Sequence, residues 1–138
     1  MIKKWKLGVL GSLFAGGLIF TFPMCASAKG VVIPINEKTF PDNAFREYVC
    51  ENIDTNGDGV LVSSEAMAVE EIWLGYHPNG YEGEPIYDLT GIEYFTNLKM
   101  LDFIYHSVTS VDLSRNTKLT FLQCGSNELT SLDIGDKL

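Results

Sequence analysis

The chain has 138 residues, of which 46% are hydrophobic and 20% charged, and its formal net charge is −8. That length supports one small domain with a single core. So acidic a balance excludes nucleic acid and anionic membrane surfaces as partners, because both attract basic patches.

Residues 1–28 are predicted to be a signal peptide. Lys3, Lys4 and Lys6 precede an apolar run from Leu7 to Phe22, and Ala26-Ser27-Ala28 forms an A-x-A-like cleavage site. The mature chain then begins near Lys29, in a secreted or extracellular setting without membrane insertion. A retained anchor is the alternative, but the run is close to the minimum for spanning a bilayer and its glycines weaken it. Loss of the three lysines moves the net charge from −8 to −11. Two cysteines remain, Cys50 and Cys124, both at positions that want a small apolar residue. They are expected to be buried free thiols.

Residues 29–39 look like an extended leader, with Val31, Val32, Ile33 and Ile35 interrupted by Pro34. A helical cap is expected over 40–72. Pro41 suits a first helical position and Asp42 the first turn. Phe45, Tyr48, Val49 and Ile53 recur at helical spacing, and the helix is predicted to stop at Asp54. A second helix is expected from Ser63 or Ser64 through Ala66 and Val69.

Between these helices, residues 54–65 read Asp-Thr-Asn-Gly-Asp-Gly-Val-Leu-Val-Ser-Ser-Glu, which fits D-x-[DN]-x-[DN]-G-x5-E at every specified position. Calcium is a hard cation that takes about 6–8 oxygen ligands. Asp54, Asn56 and Asp58 are the candidate side-chain donors, Val60 offers its backbone carbonyl, and Glu65 closes the sphere with two oxygens. Gly59 permits the sharp turn, and Leu61 packs beneath the ion. Val62 has no side-chain oxygen, so a modest affinity of about 10⁻⁴–10⁻³ M is expected. The competing reading is an Asp/Asn/Gly-rich turn that binds nothing. One loop without a second suits a structural staple better than a sensor.

Residues 75–85 form a loop by composition. After it, a shift of 21 lays Leu98 on Leu119, Leu101 on Leu122, Phe103 on Cys124, His106 on Asn127, Val111 on Leu132 and Asp112 on Asp133. The second unit reads L-x-x-L-x-C-x-x-N-x-L, a leucine-rich repeat signature. Ile72-Trp73-Leu74 is a candidate first strand. Residues 73–138 are thus expected to hold two to three repeats. The fold class is an α/β solenoid, an EF-hand-like helical cap followed by a short horseshoe of parallel strands. Asn127 should turn inward onto backbone groups. His106, one unit earlier, is a polar substitute or an edge residue. The end at Leu138, without a polar covering unit, suggests a truncated product or a fragment.

The run from Phe40 to Val49, the loop 54–65, the segment Asp88 to Leu98 and Leu129-Thr130-Ser131-Leu132-Asp133 resemble leucine-rich repeat surface proteins of Gram-positive bacteria. They are similar to internalins, which carry an EF-hand-like amino-terminal cap. The resemblance covers almost all of the mature chain. It implies a horseshoe fold, an extracellular location and binding of host or bacterial surface proteins. The asparagine ladder of such proteins is interrupted here at His106.

On such a horseshoe the residues between the strand leucines face the concave side: Trp73 with nearby Tyr76, then Asp102, Ile104 and Tyr105, then Gln123, Gly125 and Ser126. Trp and Tyr are favoured interface anchors. The alternative is that so short an array offers too little surface and that these residues only cover the cap. No nucleophile elbow or H-E-x-x-H metal motif occurs, so an enzyme is not expected. The other binding reading is a dockerin-like calcium-binding adaptor, or a non-catalytic part of a larger secreted enzyme. A dockerin needs two calcium loops, and one is present.

Overall fold

The computed structural model describes residues 30–75 and 83–136. The predicted signal peptide and Tyr76 lie outside the described residues. Among the described residues no helix is long and apolar enough to cross a membrane.

The amino-terminal part contains β1 (Val32–Pro34), α1 (Asn43–Asn52), β2 (Val60–Val62) and α2 (Ser63–Ala68). Helix α1 starts later than Pro41. Asp42 is extended at φ −69° and ψ 127°, and its Oδ1 accepts the Phe45 N–H at 2.9 Å. It is therefore the N-cap and not a first-turn residue, because a capping oxygen satisfies an amide that the helix leaves open. Ala44, Phe45 and Val49 form the buried stripe, and the helix ends at Asn52, with Ile53 as C-cap. Helix α2 starts at Ser63, as expected, and ends at Ala68, with Val69 as its C-cap.

The leader is not separate from the cap. β1 pairs antiparallel with β2, setting Val32 opposite Val62, Ile33 opposite Leu61 and Pro34 opposite Val60. Ile33 and Leu61 point into the core while Val32 faces solvent. Pro34 lacks an N–H and is tolerated because it lies on an edge strand.

The remainder is built from short parallel strands: β3 (Glu71–Trp73), β4 (Met100–Asp102), β5 (Ser110–Asp112), β6 (Phe121–Gln123) and β7 (Ser131–Asp133). β3, β4 and β6 form one sheet, with Ile72, Leu101 and Leu122 in register. β5 and β7 form a second, with Val111 opposite Leu132 and Asp112 opposite Asp133. The 21-residue shift is therefore the pairing register of β4 with β6 and of β5 with β7, while β3 pairs with β4 at a shift of 29, the loop 75–85 lying between them. The second sheet was not expected. Ser-Val-Asp and Ser-Leu-Asp alternate outward and inward side chains, which suits a strand.

One continuous core joins the parts, running from Ile33 and Phe40 through Ile72 and Leu101 to Leu113. Phe40 is its hinge point, with ring centroids 5.9 Å from Phe45, 5.8 Å from Tyr94 and 6.4 Å from Phe95. Burial falls off along the stack. Val111 and Leu113 are buried, but their counterparts Leu132 and Ile134 are 41% and 39% exposed. A repeat buries its leucines only against neighbours, so the outer coil gains less from packing.

Candidate functional site

In the loop between α1 and α2, each predicted side-chain ligand accepts from backbone amides. Asp54, which is buried, accepts the Gly57 N–H at 2.8 Å on Oδ1 and the Gly59 N–H at 2.9 Å on Oδ2. Asn56 Oδ1 accepts the Asp58 N–H at 2.9 Å, and Asp58 Oδ1 accepts the Val60 N–H at 3.0 Å. Gly57 and Gly59 take φ of +68° and +78°, the left-handed turn that favours glycine.

Glu65 reaches back across the loop. Its Oε1 accepts the Thr55 hydroxyl at 2.7 Å and the Thr55 N–H at 3.1 Å, and its Oε2 accepts the Val62 N–H at 3.2 Å. The last bond is half of a capping box; Val62 has no side-chain oxygen to complete it. The Thr55 hydroxyl first, then the Val62 amide, holds the Glu65 carboxyl below the usual range, while the nearby Asp54 charge pushes it up. The structure thus brings Asp54 and Glu65 within electrostatic reach of each other. Asn56 and Asp58 close tight turns on their own backbone. Among the described residues no three His, Cys, Asp or Glu side chains are gathered closely enough to hold a metal ion.

The donor chemistry nonetheless suits a hard divalent cation. Three carboxylates, an amide oxygen and the Val60 carbonyl are all oxygen donors. An ionised carboxylate has about four acceptor sites, so amides do not exhaust it.

The second candidate site is the outward face of β3, β4 and β6. Period two puts Glu71, Met100 and Phe121 in one row and Trp73, Asp102 and Gln123 in the next. Trp73 is half-buried, donates from Nε1 to Glu71 Oε2 at 3.1 Å, and lies 6.2 Å from the Phe121 ring at a 44° tilt. Gln123 is exposed and Ile104 half-buried. Tyr105 is 67% exposed, at φ +62°. Gly125 and Ser126 are exposed beside it.

Asp102 corrects the sequence-based expectation, because it is fully buried and offers no contact surface. Its Oδ1 accepts the Ile104 N–H at 3.1 Å, and a Cβ on Gly75 would stand 2.3 Å from that oxygen. Asp102 therefore shapes the chain where it leaves β4. Glu71, Met100 and Phe121 were missed. They precede the inward residue of each strand, and two-residue alternation puts them on the same face as Trp73 and Gln123.

Both cysteines are free thiols, but only Cys124 is partly covered; Cys50 is exposed. Cys50 follows Val49, one step beyond the buried stripe of α1; slight desolvation at the helix surface, then the Asp54 charge, raises its pKa.

His106 is the polar substitute expected from the sequence and not an exposed edge residue. Its Nδ1 accepts the Ile86 N–H at 3.2 Å and its Nε2 meets the Leu74 carbonyl at 2.9 Å. One unit later, Asn127 Oδ1 accepts the Val108 N–H at 3.1 Å, and its Nδ2 donates to the Phe103 carbonyl at 2.6 Å. The imidazole thus performs the same bridge to the preceding coil as the asparagine.

No protein-family model and no curated protein matches the chain. Solved internalins of Listeria monocytogenes do. The internalin InlF is 25% identical over 74% of this chain and 32% of its own, with a TM-score of 0.58. The functional domain of InlJ, which includes a cysteine ladder, is 30% identical over 76% of this chain and 22% of its own, with a TM-score of 0.61. Internalin C2 is 19% identical over 80% of this chain and 52% of its own, with a TM-score of 0.53, a likeness of fold. The chain therefore spans between about a fifth and a half of the length of these structures. With the parallel registers, these likenesses give it an internalin-like leucine-rich repeat fold.

Proposed function

We propose that the protein is a secreted or cell-surface recognition module of a Gram-positive bacterium, non-enzymatic, whose β3–β4–β6 face binds a protein and whose EF-hand-like cap is stapled by calcium. The observation that carries the recognition reading is the Trp73–Phe121 pair at 6.2 Å on the outward side of the parallel sheet. Half-exposed aromatic rings on a rigid strand platform lose little conformational entropy on binding and bury much apolar area. The likeness to internalins supports the same reading.

Calcium, when bound, supplies a central positive charge that gathers the loop carboxylates. Asp54, Asn56 and Asp58 contribute side-chain oxygens, Val60 its carbonyl, and Glu65 its two carboxylate oxygens. The chain's own part is to hold those donors in place. Gly57 and Gly59 amides orient Asp54, and Thr55 and Val62 orient Glu65. β2, which carries Val60, is braced by β1 and not by a second calcium loop. That arrangement favours a self-contained cap over a two-loop dockerin-like adaptor.

The test is affinity capture from surface extracts with and without a calcium chelator, using the full chain, Phe121→Ala and Gln123→Ala, and Ser131→Ala on the opposite sheet. A ligand lost with the first two variants and kept with Ser131→Ala supports the reading. Equal capture by all variants overturns it.

A further inference from the structure

We infer that the β3–β4–β6 face recognises an arginine side chain of its protein partner, seated over the shared edge of the Trp73 and Phe121 rings and paired with the Glu71 carboxylate. The inference deepens the recognition reading above and rests on it.

Three observations converge. The first is ring geometry. With centroids 6.2 Å apart and a tilt of 44°, the two rings meet as a corner and not as a parallel stack. A cation over their shared edge lies within about 6 Å of both centroids, the range in which the ring quadrupole attracts it. The second is the carboxylate. Glu71 is exposed, and its Oε2 fixes the indole by accepting from Nε1 at 3.1 Å. That bond orients the Trp73 ring and puts a negative charge at its edge.

The third is the charge around the corner. Lys99, next to Met100 in the chain, is tied to Glu70 at 2.8 Å. Beside Glu71 runs a groove of about 550 Å³ lined also by Tyr48, Asn52, Thr55, Glu65 and Glu70. A chain with a net charge of −8 adds a long-range field that attracts a basic partner. Arginine fits better than lysine. Its planar guanidinium can stack on a ring and bond a carboxylate together, which an ammonium cannot do.

The probe is a short acetylated and amidated peptide with two arginines in a Gly/Ser background. Its citrulline counterpart keeps the shape and three of the five N–H donors but removes the charge, and its lysine counterpart keeps the charge. The full chain is titrated with each while the indole N–H resonance of Trp73 is followed, assigned by its loss in Trp73→Phe. The arginine peptide is expected to shift that resonance saturably and at least about five-fold more tightly than the citrulline peptide. Glu71→Gln, an exposed and mild change, is expected to weaken binding by about five-fold or more, and Phe121→Leu likewise.

Equal shifts from arginine and citrulline peptides overturn the inference, as does unchanged affinity in Glu71→Gln. So does a shift of the indole on concentration alone, because the corner would then be filled by a second copy. The two readings fail separately. A captured protein ligand insensitive to Glu71→Gln but lost in Gln123→Ala leaves the face standing and removes the arginine. A ligand kept in Gln123→Ala and Phe121→Ala removes the face itself.

Discussion

Asp42 Oδ2 accepts the Tyr87 N–H at 2.9 Å while Asp42 Oδ1 caps α1 by accepting the Phe45 N–H at 2.9 Å. Oδ2 also takes the Asp88 N–H at 3.3 Å. One carboxylate thus starts the helix and fastens it to the chain entering the repeats. Replacing it with alanine removes a cap, worth about 1 kcal/mol, and orphans two further amides. Asp42→Ala is expected to lower stability by roughly 2 kcal/mol, a Tm fall of about 10 °C for a domain of this size. Thermal unfolding followed by circular dichroism measures it. A change under about 2 °C would mean that solvent replaces these bonds without loss.

His106 gives the second prediction. It joins the Ile86 N–H and the Leu74 carbonyl, the two ends that flank the segment 75–85. His106→Ala leaves both groups without the ring and is expected to destabilise by about 1–3 kcal/mol. His106→Asn can restore the amide bridge seen at Asn127 and should recover at least half of that loss. Chemical denaturation gives the energies, and amide exchange at Ile86 reports the bond itself. Equal behaviour of the two variants would show that the polar bridge contributes nothing.

These bridges show what could be read before folding. The 21-residue shift that lays Leu101 on Leu122 and Val111 on Leu132 is the same shift that pairs the strands, because a repeat buries its leucines only by stacking in register. The pairing of Ile33 with Leu61 was not legible. It joins segments 28 residues apart, and Pro34 disguises the strand. Asp102 was misplaced for a similar reason, since alternation fixes its side of the sheet but not the close approach of Gly75 that covers it. At the loop 54–65 the spacing picks out the candidate donors. It could not reveal that Thr55 would hold Glu65, because that contact depends on how far the exit helix folds back.

Gly91 supports a prediction about the join between cap and repeats. Its φ is +106°, and a Cβ there would stand 2.2 Å from the Phe40 ring. Phe40 is fully buried and contacts Phe45, Tyr94 and Phe95, so the ring has no room to give. Gly91→Ala therefore combines backbone strain with overpacking and is expected to cost about 3 kcal/mol or more. Gly125→Ala is the control, because nothing stands within 4 Å of its added Cβ. Denaturation midpoints should separate the two; similar midpoints would mean that the aromatic cluster yields easily.

Glu65 carries the last prediction, which separates the loop's own order from its proposed ion. The carboxyl is held below the ordinary glutamate range, chiefly by the Thr55 hydroxyl. A carboxyl depressed in the folded state stabilises that state above its unfolded pKa, and the gain is lost as pH falls through the folded value. In chelator, wild-type protein should therefore lose this contribution only below about pH 4.3, the ordinary glutamate value, while Glu65→Gln loses that part of the pH dependence. With calcium, Glu65→Ala should remove most of the affinity and the accompanying rise in Tm, because two of the proposed oxygens go with it. Substitution of His106 should leave calcium binding unchanged. Calorimetry of the three variants decides the matter: equal calcium binding in Glu65→Ala would displace the ion from this loop, and a loss in the His106 variants would relocate it. If no variant or wild-type chain binds, the carboxylates act only as caps for the turn.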